Sequence, residues 1–218
     1  MPALEKIAEE VRKEFDAITE AREQALTSAR SLTRHCAHAI RAIHRQEEDV
    51  AAAELKEASK IAKSLRKDLA DFPQIYSAGY TQDALKEYSE ANLVHALVHD
   101  ADLPGPADLG LEPAAYMKGL AETVGELRRR CLDILRHGHS EEAERLLGHM
   151  DETYAVLVTM DYPDAVTAGL RRLTDIDRSL VERTRGDVTL SLRQERLESS
   201  LRNAEQHLAK LSNGDDEG

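Results

Sequence analysis

Apolar residues recur at intervals of three and four along most of this chain, the period of an amphipathic α-helix. Over residues 3–46, Ile7, Val11, Phe15, Ile18, Ala25, Leu32, Ile40 and Ile43 follow that period and predict one long helix. Leu55, Ala58, Ala62, Leu65 and Leu69 mark a second over about 50–69, which Phe72-Pro73 stops. Thr81 reads as the N-cap of a third helix over about 82–98. Residues 100–112, with two prolines and two glycines, read as a loop, and Pro113 then opens a fourth helix lasting to about Arg136. His137-Gly138-His139 breaks that helix, and Ser140 starts a short fifth. Asp161-Tyr162-Pro163 starts a sixth, and Arg185-Gly186-Asp187 reads as a stop or kink before a seventh over about 188–211.

Composition agrees with this all-α reading. Ala, Leu, Glu and Arg, strong helix formers, dominate, while only 4% of residues are aromatic and none is Trp. A β-sandwich or barrel would use more aromatic and β-branched residues. A length of 218 residues fits a single domain over 1–212, with 213–218 as a frayed acidic tail. No internal repeat is visible. Cys36 and Cys131 lie far apart inside helical patterns, as buried reduced thiols would, which suits a cytoplasmic protein. No apolar run approaches the roughly 18 residues of a membrane span, and no signal-peptide core is visible.

Charge raises the first functional question. A net charge of −12 repels phosphate unless positive charge is gathered on one surface. Two basic rows do gather it. Arg30, Arg34, Arg41 and Arg45 fall within about 60° on the first helix, with His38 and His44 beside them. Such a row fits a groove that tracks a nucleic-acid backbone without reading sequence, and few acidic residues stand near enough to neutralise it. Lys56, Lys60, Lys63 and Lys67 form a second row on the next helix, which reads better as a solvated face paired with Glu.

Carboxylates are patterned too. Glu87 and Glu90, three apart, face one side of the third helix, with Asp83 one turn earlier; Glu122 and Glu126, four apart, share a side of the fourth. If the two helices pack antiparallel across the 100–112 loop, the pairs meet. They would then repel strongly unless a cation joins them, and oxygen ligands in that number suit Mg²⁺ or Mn²⁺. In a chain this rich in Glu such pairs also arise by chance on solvated faces. A ferritin-like di-iron site would need Glu-x-x-His motifs, and none of the close pairs His35/His38, His95/His99 and His137/His139 supplies one. Arg129 and Arg130 follow one to two turns after the second carboxylate pair, as phosphate-charge stabilisers or as simple intrahelical partners. No phosphate-cradling glycine loop, zinc ligand set or Ser-His-Asp cue appears.

These motifs resemble those of one family. Glu87-Tyr88-Ser89-Glu90-Ala91 resembles the E-Y-x-E-A motif of the translin-associated factor X branch of the translin superfamily. Gly119-Leu120-Ala121-Glu122-Thr123-Val124-Gly125-Glu126-Leu127 resembles that branch's G-x-A-[DE]-x-x-G-E-L run, and Ala42-Ile43-His44-Arg45 is similar to the end of its first helix. The resemblance runs from the first helix to about residue 211 and points to an archaeal member. It implies a seven-helix translin-type bundle of long antiparallel helices, assembled as a barrel-like homo-octamer around RNA. It also implies an endoribonuclease acting on single-stranded RNA or RNA fragments, with Glu87, Glu90, Glu122 and Glu126 as catalytic Mg²⁺ ligands. Arg30, Arg34, Arg41, His44, Arg45 and Arg130 would then hold the strand. The translin branch itself binds single-stranded nucleic acid, so the resemblance also admits the alternative of a non-catalytic oligomer that binds single-stranded RNA or DNA. Glu122 departs from the pattern, which usually has Asp there.

Overall fold

The computed structural model describes residues 2–138 and 140–214; His139 of the predicted break and residues 215–218 of the predicted tail lie outside the described residues. Among the described residues there are nine helices and no strand. Six are long: α1 (Pro2–Arg45), α2 (Glu48–Asp68), α4 (Gly79–Val98), α6 (Pro113–Leu135), α7 (Ser140–Val158) and α9 (Leu170–Gly214). Three are single turns in the connections: α3 (Pro73–Tyr76), α5 (Pro106–Leu109) and α8 (Asp164–Thr167).

α4 is the centre of the bundle. It is apolar on nearly every side, with Leu85, Tyr88, Ala91, Leu93, Val94, Ala96 and Leu97 all buried, as expected of a helix enclosed by others. α1, α2 and α6 surround it. One cluster joins Leu32 and Cys36 of α1 to Leu65 of α2, Leu85 of α4 and Ala115 of α6. A second, at the other end, joins Ile43, Val94, Val124, Leu127, Met150 and Val181.

The expected meeting of the two carboxylate pairs is premised on α4 and α6 running antiparallel; they run parallel. Asp83 pairs with Lys118 at 3.6 Å and Lys86 with Glu122 at 2.5 Å, while Val94 and Leu97 pack near Val124 and Leu127. Residues 99–112 therefore travel back along the bundle instead of turning tightly. The Tyr116 hydroxyl anchors the returning strand by donating to the Pro104 carbonyl (2.9 Å), and Arg66 of α2 donates to the Gly110 carbonyl (3.2 Å).

Two helix ends also differ from expectation. α4 begins at Gly79, and Thr81 is buried, its hydroxyl donating to the Ile75 carbonyl at 2.9 Å instead of capping. The stop predicted at 185–187 is absent, and α9 runs through it. Gly186 weakens a helix by only about 1 kcal/mol relative to Ala. Both flanking turns are held: Val181, Thr184 and Val188 are buried, and Arg128 of α6 reaches Thr184 (2.7 Å) and Asp187 (3.0 Å).

α1 outruns its partners. At about 1.5 Å per residue its 44 residues extend about 66 Å, against about 32 Å for the 21 of α2. Its apolar stripe is buried only from Ala21 onward; Leu4, Ile7, Val11 and Phe15 are exposed, because no element among the described residues covers them. Leu190, Leu197, Leu201 and Leu208 of α9 are exposed in the same way. No described helix is long and apolar enough to cross a membrane.

Candidate metal centre

The close approach of α4 and α6 begins with small residues. A Cβ on Gly119 would lie 2.5 Å from the Ser89 Cβ and 2.8 Å from the Lys86 carbonyl oxygen, so only glycine fits there. The Ser89 hydroxyl, on the facing turn, donates to the Tyr116 carbonyl at 3.2 Å. With the backbones this close, side chains one turn further along the same edge must meet. Those side chains are Glu87 and Glu90 of α4 and Glu122 of α6, each offering an oxygen within 4.8 Å of the others.

Three carboxylates this near cannot all stay ionised without a cation. Glu90 is 7% exposed, and burial, reinforced by Glu87, Glu122 and Glu126, pushes its carboxyl up to about 8. Lys86 stands between the other two, its ammonium 3.0 Å from Glu87 and 2.5 Å from Glu122. Burial alone would lower that ammonium, but hydrogen bonds to Glu122 and Glu87 outweigh it and hold the group above its usual value. Spacing gave no hint of Lys86, since adjacent residues on a helix point about 100° apart.

Glu126 lies outside the tight group, one turn beyond Glu122. His44 of α1, with its side chain 4% exposed, donates a short hydrogen bond from Nε2–H to Glu126, which holds that carboxyl below its ordinary value. The other ring nitrogen of His44 is buried without a partner. Arg129 approaches Glu126 to 3.6 Å, and Arg130 donates to the His44 carbonyl at 3.2 Å.

A further carboxylate was overlooked by spacing. Asp177 of α9 is 3% exposed, its Oδ2 is buried without a partner, and burial with the nearby charge of Glu122 pushes it up to about 7. It interrupts the inward stripe of α9 formed by Leu170, Val181, Thr184 and Val188. A lone charge at a core position of the sixth predicted helix was the available signal, but the buried stripe it interrupts runs on to Val188, past the stop predicted at 185–187.

Comparisons agree with this fold. No family model matches the chain. A protein of Methanocaldococcus jannaschii, itself uncharacterised, is 33% identical over 183 residues, spanning 83% of this chain and 81% of that protein. Among solved structures, AfC3PO in complex with duplex RNA superposes with a TM-score of 0.81 at 32% identity, over 86% of this chain and 97% of that one. The chain belongs to the translin superfamily. Apo-NeC3PO, at 19% identity and a TM-score of 0.78 over 84% of this chain and 96% of its own, shares the fold.

On this translin-type protomer Arg30 of α1 borders one of the carboxylates. Arg30, Arg34, Arg41 and Arg45 are all exposed, and among the described residues none forms an ion pair with a carboxylate. Arg30 lines one groove with Thr33, Tyr80, Asp83 and Glu87. Arg45 lines another with His44, Arg130, Asp133 and His137. Arg30 thus shares a groove with one carboxylate of the centre, and Arg45 shares one with the histidine that holds Glu126. His44 does not belong to the row: its ring turns inward to Glu126. On α2, Lys60 pairs with Glu57 at 2.6 Å, as the solvated-face reading expects. Cys36, buried beneath Glu87 and Glu90, is pushed far up by burial and by their charge, and Cys131 is pushed up to about 12 by burial; both thiols are free and inert.

Proposed function

We propose that this chain is the subunit of a homo-oligomeric endoribonuclease that depends on Mg²⁺ or Mn²⁺. The observation that carries this reading is the convergence of Glu87, Glu90 and Glu122 within 4.8 Å. The donor set fits a hard divalent cation: every donor is a carboxylate oxygen, the group is strained by its own repulsion, and Lys86 already bridges two of its members as a monovalent substitute. Bound there, such an ion supplies Lewis-acid activation of water and neutralises charge on phosphate.

The chain's own residues do the rest. Glu90 gives up its proton to become a ligand, and Lys86, displaced from Glu87 and Glu122, is free to face a phosphate oxygen. Glu126, kept ionised by His44, serves as the fourth carboxylate. Asp177 adds a reserve of negative charge behind Glu122. Arg30, Arg34, Arg41, Arg45 and Arg130 hold the RNA backbone by phosphate contacts, which carry no sequence information. Single-stranded RNA or RNA fragments are the proposed substrate, with single-stranded DNA as a further ligand. The duplex RNA bound by AfC3PO supports RNA as the polymer and makes duplex a second substrate to test.

Assembly is part of the proposal. Leu4, Ile7, Val11 and Phe15 on α1, and Leu190, Leu197, Leu201 and Leu208 on α9, are apolar rows that a lone protomer leaves in water. Copies of this chain, as an octamer enclosing the RNA, would cover them. The excess acidic charge then faces outward while the arginine row faces the strand. Two buried free thiols suit a reducing cytoplasm.

Purified protein with Mg²⁺ should cleave labelled single-stranded RNA, and Glu126→Ala should not, while remaining folded and oligomeric. Equal cleavage by both would place the activity elsewhere. One observation favours a second reading, a non-catalytic RNA-binding oligomer: the Lys86 bridge neutralises Glu87 and Glu122 without any ion. RNA binding that persists in EDTA with no product under any divalent ion would decide for it.

A further inference from the structure

The far end of α4 carries a second convergence of metal-ligating groups, which the carboxylate chemistry leaves unused. His95 and His99 lie one turn apart, and Glu48, the first residue of α2, reaches toward them. Each offers one ligand atom, and all three atoms lie within 4.8 Å of one another. The two imidazole rings are 4.5 Å apart between centroids and tilted by 37°. His95 sits five residues past Glu90, about 7.5 Å along the axis and about 140° around it, so this cluster faces α2 and not the carboxylates.

The hydrogen bonds fix the state of His99. Its Nδ1 lies 2.7 Å from the His95 carbonyl oxygen, which can only accept, so Nδ1 carries a proton. Its Nε2 lies 2.9 Å from Glu48 Oε1. A neutral ring would therefore aim a lone pair at a carboxylate, and that contact requires a cation. A proton on Nε2 would serve His99 and Glu48 but leave His95 unused. A divalent ion uses all three. The arrangement also carries the outer contact typical of a metal-bound imidazole, a ring N–H donated to a backbone carbonyl.

We infer that Glu48, His95 and His99 form a binding site for a borderline divalent ion, Zn²⁺ foremost, with two imidazole nitrogens, one carboxylate oxygen and an open fourth position for water. Two His at a spacing of four, here in the last turn and at the C-cap of α4, joined by a carboxylate from another element, resemble an established zinc geometry. The partial exposure of His99 and Glu48 gives the ion a path in from solvent. The bound ion ties the start of α2 to the end of α4 and so closes the turn that follows α1.

The test uses the full-length protein, stripped with chelator and held in excess Mg²⁺ to occupy hard oxygen sites. Titration with Zn²⁺ against a chromophoric competitor should show one ion taken up per chain. Affinity should fall at least about tenfold in His95→Ala and in His99→Ala, and stay within about twofold in Glu87→Gln/Glu122→Gln, whose substitutions lie outside this site. Uptake unchanged in the His95→Ala/His99→Ala double variant overturns the site, as does uptake lost in Glu87→Gln/Glu122→Gln. Co²⁺ bound to the wild-type chain provides a measurement that needs no variant. The intense visible absorption of a four- or five-coordinate ion supports the site, and the faint spectrum of six-coordinate aqueous Co²⁺ overturns it.

Discussion

The carboxylates between α4 and α6 and the arginines along α1 are both rows of like charge, yet the protein treats them oppositely. Glu87, Glu90 and Glu122 are drawn within 4.8 Å of one another and largely removed from water. Arg30, Arg34, Arg41 and Arg45 are spread along the helix surface, each exposed and none paired with a carboxylate among the described residues. Crowded buried charge must be answered at fixed positions, which is why Lys86, His44 and protonation of Glu90 all act on one small volume. Dispersed charge at the surface is screened by salt and asks for no particular partner. The first arrangement suits a defined ion and a defined reaction, the second a backbone gripped at many equivalent points.

That contrast breaks most directly at Glu122. Glu122→Gln keeps size and hydrogen bonding but removes one ligand charge, and RNA cleavage with Mg²⁺ should fall roughly a thousandfold. The fold should survive, because the substitution reduces repulsion among the carboxylates. Activity retained within tenfold would mean that the centre is an electrostatic feature of the core and not the reacting site.

Gly119→Ala attacks the same centre through packing. The added methyl meets the Lys86 carbonyl, which belongs to a helix backbone and cannot step aside. α4 and α6 must separate, and overpacking of this kind destabilises by about 1–3 kcal/mol. Thermal unfolding should report that loss, and Mg²⁺ affinity should drop along with it. A variant as stable as the parent would show that the helices are not in contact at Gly119 in solution.

What could be read from the sequence divides along the same line. The convergence of Glu87, Glu90 and Glu122 was legible because helical period places Glu87 with Glu90 and the motif resemblance joined Glu122 to them, whereas Glu126, expected beside Glu122, stands apart with His44. The α1 arginine row was legible for the same reason. The direction of α6 was not: a proline- and glycine-rich connection looks the same whether it turns at once or runs back along α4, and the anchors that decide it, Tyr116 to Pro104 and Arg66 to Gly110, are long-range. The role of His44 was hidden because a ring at the edge of a basic row gives no sign that it points inward. The projecting ends of α1 and α9 were also hidden, since an apolar stripe reads alike whether its cover comes from the same chain or from another.

Titration separates the two rows without any substitution. Glu90 has its folded value raised from 4.5 to about 8, and Asp177 from 3.8 to about 7. A raised carboxyl keeps its proton in the folded chain where the unfolded chain has lost it. Its stabilising contribution is therefore complete below the unfolded value and is lost as pH rises through the folded value. The metal-free protein should lose stability between about pH 4 and pH 8. Glu90→Gln should flatten that slope, and Mg²⁺ should restore stability at the alkaline end. Unfolding curves that superpose across this range, with and without Mg²⁺, would mean that Glu90 is already ionised and solvated.

The smallest effects belong to the arginines, and they are the most diagnostic of dispersed binding. Arg34→Ala should leave stability within about 0.5 kcal/mol of the parent, because the side chain is exposed and forms no ion pair with a carboxylate. It should weaken RNA binding about equally for unrelated sequences and lower the slope of log affinity against log salt by roughly one. Arg41→Ala should do the same, and the two losses should add, since residues about 10 Å apart on an exposed face couple weakly. Removing all four arginines should abolish binding at moderate salt while leaving the carboxylate centre able to take up its ion. A single arginine whose loss is sequence-dependent, or far larger than its neighbours', would show that this row reads a particular feature of the RNA instead of following its backbone.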